Sequence, residues 1–249
     1  MRVLADLLSL PLWEVPGQSY SLPGIENYLA SYDLNGSLSL EQGYLLLDHH
    51  WQRHMGDLTF NRENFPQLSL LRHTVSWARR RLAITINPFV SVESAHFREG
   101  VQRKLFVMER NSTRDKFIPA LTWFKDVPLA ALLDITNQET VVWLQSKLTD
   151  LVASIGGEVV FYLDPGNTFH TPHHFTFAQP LYNPDLYKDH FMDACMSVVQ
   201  VIGVSGASSK RPKAPAFVWM TPQESSWSSL QSIIPNILHL GGWRRNSYI

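Results

Sequence analysis

Two carboxylates close short apolar runs. Asp164 ends Glu158-Val159-Val160-Phe161-Tyr162-Leu163, and Asp48 ends Tyr44-Leu45-Leu46-Leu47 and opens Asp48-His49-His50-Trp51. A carboxylate at the C-terminal end of a buried strand is costly to bury without a purpose, and ligands gather at such strand ends. Carboxylates, aromatics and amides at strand ends are the tools of carbohydrate chemistry. The alternative for each aspartate is a turn or a helix N-cap, and Asp164-Pro165-Gly166 is a turn sequence. The histidines form two groups, His49, His50 and His54, then His170, His173 and His174. His50 and His54, like His170 and His174, stand four residues apart, but neither group falls in a helical pattern as a zinc-protease pair does, and adjacent histidines on a strand point to opposite faces, so no metal is expected. Cys195, the single cysteine, sits in a helical pattern with Met192, Met196 and Val199 and reads as an inert buried thiol. Gly203-Val204-Ser205-Gly206 lacks the third glycine and the lysine of a phosphate loop, and no Gly-x-Ser-x-Gly elbow occurs. No cofactor is expected.

These residues need elements to hold them. The strand candidates are Leu12 to Val15, Tyr44 to Leu47, Leu82 to Ile86, Val159 to Leu163, Val199 to Val204 and Ala216 to Met220. Several are almost continuously apolar, as strands buried on both faces of a parallel sheet are. Helical patterns lie between them at Ile25 to Tyr32, Phe65 to Arg80, Gln138 to Ile155, Pro184 to Val198 and Ser228 to Leu238. The third repeats apolar residues at Val141, Leu144, Leu148, Val152 and Ile155, a helical spacing. Strand followed by helix, repeated, predicts an α/β fold of βα units around a parallel sheet. The connection from Pro88 to Pro128 is long enough to read as a functional or mobile loop.

Composition narrows the classes. The chain has 249 residues, 45% hydrophobic and 17% charged, with a net charge of −1. That excludes a disordered tail, and near-neutrality without a basic block removes the usual electrostatic reason to bind nucleic acid. No apolar run approaches the ~18 residues of a membrane span, and no signal peptide is expected at Met1 to Leu8. The end, Gly241 to Ile249, reads as an interruption.

The segment from Asp48-His49-His50-Trp51 through Gly56-Asp57-Leu58-Thr59-Phe60 to Phe65-Pro66 resembles glycoside hydrolase family 31. The likeness continues through Ile86-Asn87-Pro88-Phe89-Val90, Phe97-Arg98-Glu99-Gly100, Leu133-Asp134-Ile135-Thr136-Asn137 and Tyr162-Leu163-Asp164, and ends at Ser225-Ser226-Trp227 and Ile234-Pro235-Asn236. The resemblance implies a (β/α)8 TIM-type barrel as a single domain over 1–249. That barrel would be incomplete at its C-terminus, without the family's flanking β-sandwich domains, and covered by a partner at its open edge. It implies a carbohydrate or glycoconjugate substrate, a retaining α-glycosidase reaction and a compartment of the secretory pathway. Asp164 matches the nucleophile and Asp48 a carboxylate binding sugar hydroxyls; Asn87, Trp123 and Tyr162 are placed around the sugar.

The departures matter as much. Pro222 stands where the family has its acid/base aspartate, and proline has no proton to give. Glu224, two residues on, is the candidate substitute. Asn87 and Asn167 replace family acids, and no arginine occurs from Ile202 to Ala207. Impaired hydrolysis is expected, with a truncated or sugar-binding inactive form as the alternative.

Overall fold

The computed structural model describes residues 12–33, 43–110, 117–167, 170–183, 186–205 and 217–219. The helical pattern at Ser228 to Leu238, Pro222 and Glu224 lie outside these described residues.

Among the described residues six strands form one parallel sheet: β1 (Leu12–Glu14), β2 (Gly43–Leu47), β3 (Arg80–Ile86), β8 (Val159–Leu163), β10 (Val201–Ser205) and β11 (Phe217–Trp219), hydrogen-bonded in that order. The remaining strands are β4 (Phe89–Ser91), β5 (Met108–Glu109), β6 (Leu121–Phe124), β7 (Val127–Leu132) and β9 (Phe175–Thr176). The helices are α1 (Leu22–Asp33), α2 (Leu68–Trp77), α3 (Ala95–Gln102), α4 (Gln138–Ile155) and α5 (Leu186–Met196).

Strand alternation sorts the main sheet's side chains into two sets. Leu45, Leu47, Leu82, Ile84, Val159, Phe161 and Leu163 join the large outer core beneath the helices. Tyr44, Leu46, Ala83, Val160 and Ile202 form a smaller inner core, with Leu12 and Tyr162 packed against it. Two buried faces explain why these strands are apolar without a break. The inner set continues by steps of two into Glu14, Asp48, Thr85 and Asp164, so the sheet's own periodicity brings these polar residues to one end of the inner face.

Helix α4 has the limits its pattern predicts. The Asn137 side chain accepts the Glu139 N–H at 3.0 Å to cap its start, and Gly156 at φ 66° ends it. Its buried face is Thr140, Trp143, Leu144, Leu148, Leu151 and Ile155, shifted slightly from the expected stripe because Val141 and Val152 are only half-buried. Helix α2 begins at Leu68 rather than Phe65, since Pro66 disfavours helical backbone in the residue before it.

The connection from Pro88 to Pro128 corrects the reading of a loop. Its described residues carry β4, α3, β5 and β6, and β6 and β7 form a hairpin that extends β4 into an antiparallel sheet ordered β4-β7-β6. β5 pairs with β9. Among the described residues no helix is long and apolar enough to cross a membrane.

Candidate active site

The polar end of the inner face surrounds a cavity of about 170 Å³ lined by Glu14, Asp48, Thr85, Lys125, Tyr162 and Asp164, together with Leu12 and Leu46. Asp48 occupies the N-cap position of the short 3-10 turn His49–Trp51, yet its side chain makes no capping hydrogen bond. Its backbone N–H donates to the Tyr20 hydroxyl at 2.6 Å, which fixes the strand end and leaves the carboxylate for the cavity. Asp164 is anchored by its N–H to the Ile86 carbonyl at 2.8 Å. Its contact with the Gly166 N–H is long, at 3.4 Å. The cap reading therefore fails for Asp48, and at Asp164 the turn contact engages Oδ1 while Oδ2 faces Lys125.

Lys125 joins the two. Its Nζ donates to Asp48 Oδ1 and Oδ2 at 2.7 and 2.8 Å and lies 3.0 Å from Asp164 Oδ2. Burial would raise the Asp48 carboxyl pKa, but the hydrogen bond from His49 and the Lys125 ammonium outweigh it and hold the group well below the usual carboxylate range. Burial likewise opposes the Lys125 charge, and the Asp164 and Asp48 carboxylates reverse that and raise its pKa. Glu14, whose outer atoms reach solvent, is pushed up by partial burial and then by Asp48 and Asp164, with Lys125 pulling the other way. The Thr85 hydroxyl is buried in the cavity wall with no hydrogen-bond partner among the described residues. Such a group is costly unless a ligand or water satisfies it.

The β6–β7 hairpin delivers Lys125 and is itself fastened at the tip. Asp126 Oδ1 meets His49 Nε2 at 2.6 Å, while His49 Nδ1 lies 3.1 Å from Asp48 Oδ2. Phe124 stacks on Phe89 with centroids 4.1 Å apart, and His170 stands edge-on to Phe124 and Trp123 at 5.0 and 4.8 Å.

The structure thus brings Asp48, Tyr162 and Asp164 together. It leaves two other expected residues outside the cavity wall. Asn87 is buried, with Oδ1 accepting the Phe89 N–H at 3.0 Å, so its amide shapes the turn into β4. Trp123 is 52% exposed on the hairpin against His170. Lys125, Glu14 and Thr85 escaped the sequence reading. A signal for Lys125 existed: two β-rich runs, Leu121 to Phe124 and Val127 to Leu132, flank a two-residue polar pair as in a hairpin. The histidine argument also needs correcting. His49 and His50 lie on a 3-10 turn and not on a strand, and their rings sit 3.9 Å apart on the same side.

The family model of the glycosyl hydrolases family 31 TIM-barrel domain matches residues 37–195. The chain is 27% identical over 199 residues to the myogenesis-regulating glycosidase of Mus musculus, covering 78% of this chain and 27% of that protein. It is 26% identical over 170 residues to the SITS-binding protein of Tetronarce californica, covering 64% and 23% respectively. The chain thus spans about a quarter of the length of these relatives. A family 31 dextranase of Flavobacterium johnsoniae, solved with glucose, superposes with a TM-score of 0.64 at 10% identity, over 86% of this chain and 27% of that one. The parallel βα sheet agrees in fold with that structure, and the family-model match over 37–195, more than half of the chain, shows that the chain belongs to glycosyl hydrolase family 31, as a TIM-barrel domain of that family.

Proposed function

We propose that this domain binds the non-reducing sugar of an α-linked glycoside and that Asp164 attacks its anomeric carbon in a retaining hydrolysis. Family membership supports a glycoside hydrolase-like function. The observation that carries the finer reading is the meeting of Asp48 and Asp164 in one cavity on a single ammonium. A retaining reaction requires a carboxylate beneath the anomeric carbon and an acid ~5–5.5 Å away to protonate the leaving oxygen. Asp164 fills the first role once Lys125 withdraws from Oδ2, and Asp48 accepts hydrogen bonds from sugar hydroxyls. The proton donor has two candidates. Glu224 lies outside the described residues, and Glu14 lines the cavity with its carboxyl pushed toward the protonated form.

Glycosyl fluorides test the nucleophile without the acid, because fluoride leaves unprotonated. The α-fluorides of glucose, galactose and xylose are compared by fluoride release. One of them should turn over, and Asp164→Asn should lower its rate by on the order of 10³-fold or more. Equal release by parent and variant rejects the assignment.

The Lys125 bridge favours a second reading, in which the cavity binds sugar without turnover because the nucleophile's charge is engaged. In that case affinity for methyl α-glycosides survives Asp164→Ala and no fluoride is released.

A further inference from the structure

A second cavity, of about 290 Å³, opens on the other side of the hairpin tip, and His49, His50 and Asp126 share its wall. His49 Nε2 and His50 Nε2 approach the Asp126 carboxylate from two sides, at 2.6 Å from Oδ1 and 3.7 Å from Oδ2. One donor atom from each of the three residues falls within 4.8 Å of the others. The 3-10 turn makes this possible, since it sets consecutive side chains roughly 120° apart where a strand would send them to opposite faces. An ion pair that pins the hairpin explains the His49 contact. His50 adds a longer ion-pair contact to the same carboxylate, beyond hydrogen-bond distance, so both imidazoles and the carboxylate face one space.

We propose that His49 Nε2, His50 Nε2 and one carboxylate oxygen of Asp126 bind a divalent transition-metal ion, with zinc the best match, and leave a fourth position facing the cavity. Two imidazoles and a carboxylate are a donor set that zinc takes, at ligand distances of about 2.0–2.2 Å and hence donor spacings near 3.4 Å. The His50 spacing of 3.7 Å is to Oδ2 and the His49 spacing of 2.6 Å to Oδ1, so the carboxylate must turn to offer one oxygen to both imidazoles. The His49–Asp126 spacing must open by roughly 0.8 Å, and Asp126, 59% exposed at the tip of a hairpin, has room to turn. His49 is also oriented as a metal-binding histidine is: Asp48 Oδ2 holds Nδ1 at 3.1 Å, which leaves Nε2 for the ion. The ion ties the turn after β2 to the hairpin that carries Lys125.

The full chain, stripped with a chelator and checked by circular dichroism, is titrated with Zn²⁺ in a calorimeter and with Co²⁺ by visible absorption. One ion per chain is expected, with the intense bands of tetrahedral cobalt. His50→Ala and Asp126→Asn, both at exposed positions, should each weaken Zn²⁺ binding at least tenfold. Absence of binding by the folded parent overturns the site. So does either variant binding as tightly as the parent, which would place the ion on other histidines.

Discussion

Lys125 sits in a two-residue turn at φ 52°, a left-handed conformation that costs a non-glycine residue about 1–2 kcal/mol. Its ammonium meets two carboxylates that would otherwise repel each other across the cavity, and that interaction offsets the backbone cost. Lys125 is 31% exposed and Asp48 and Asp164 are 17% and 13% exposed, so the cluster lies between a surface pair and a buried one. Lys125→Met should lower stability by about 1–3 kcal/mol near neutral pH, measured by urea unfolding. The pH dependence follows from the two shifts. The lowered Asp48 value gives stability present above about pH 4 and lost as pH falls through it. The raised Lys125 value gives stability present below about pH 10 and lost as pH rises beyond it. The difference between parent and Lys125→Met should therefore be largest at about pH 8 to 9 and shrink on either side, starting on the acid side where His49, His50 and His170, whose charging Lys125 opposes, take up protons. A difference that grows steadily with acidity contradicts the bridge. Asp48 and Asp164 were legible because a polar residue ending an apolar run stands out. Lys125 was not, since a Lys-Asp pair in a polar stretch has the look of any solvated turn and only the hairpin's path carries it inward.

Several motifs that carried the family resemblance act as fasteners between elements. Asp57 Oδ1 accepts from Ser94 Oγ at 2.8 Å and from the Ala95 N–H at 3.0 Å, which joins the turn after β2 to the start of α3. Asp134 is buried, and its carboxylate accepts the Thr136 and Ala178 N–H groups at 3.0 and 2.7 Å. Gly56 takes φ 91°, and a Cβ there would lie 2.7 Å from the Val90 Cα. Gly56→Ala should thus destabilise the protein by about 2–4 kcal/mol, because both the backbone conformation and the contact with β4 oppose it. Urea unfolding of that variant at the parent's midpoint would contradict the close approach. Elements with strong local signals, such as α4 with its Asn137 cap and Gly156 terminus, were read to the residue. The antiparallel insertion between β3 and α4 was missed because β4 and β5 are two or three residues long, too short for an alternation to register, and the hairpin signal of β6 and β7 was passed over.

At the scale of the molecule, the parallel sheet is coated by one continuous outer core and filled by a smaller inner one, and Cys195 lies within the outer core. Burial pushes its thiol pKa well above the ordinary value, so the reactive thiolate is scarce in the folded state. Cys195 should resist a disulfide reagent at pH 8 and react at once in denaturant; its labelling rate then reports global unfolding. Rapid labelling of the native protein would show that the α5 face of the barrel opens on its own. The α/β class with a parallel sheet was readable from continuous apolar strands separated by helices, and the barrel was implied by the family resemblance. The cavity was not, because it depends on how residues from β1, β2, β3, β8 and the hairpin converge across the inner face.

Trapping the sugar on the protein tests the central claim most directly. The folded chain is incubated with the α-glycosyl fluorides of glucose, galactose and xylose, and its intact mass is recorded. A proton donor is needed neither for fluoride departure nor for the first bond to Asp164, and a weak or absent base slows release of the glycosyl-protein. The account predicts a single glycosyl increment from one of the three sugars, absent in Asp164→Asn. An increment that persists in Asp164→Asn, or none at all in the folded parent and in Lys125→Met, contradicts it.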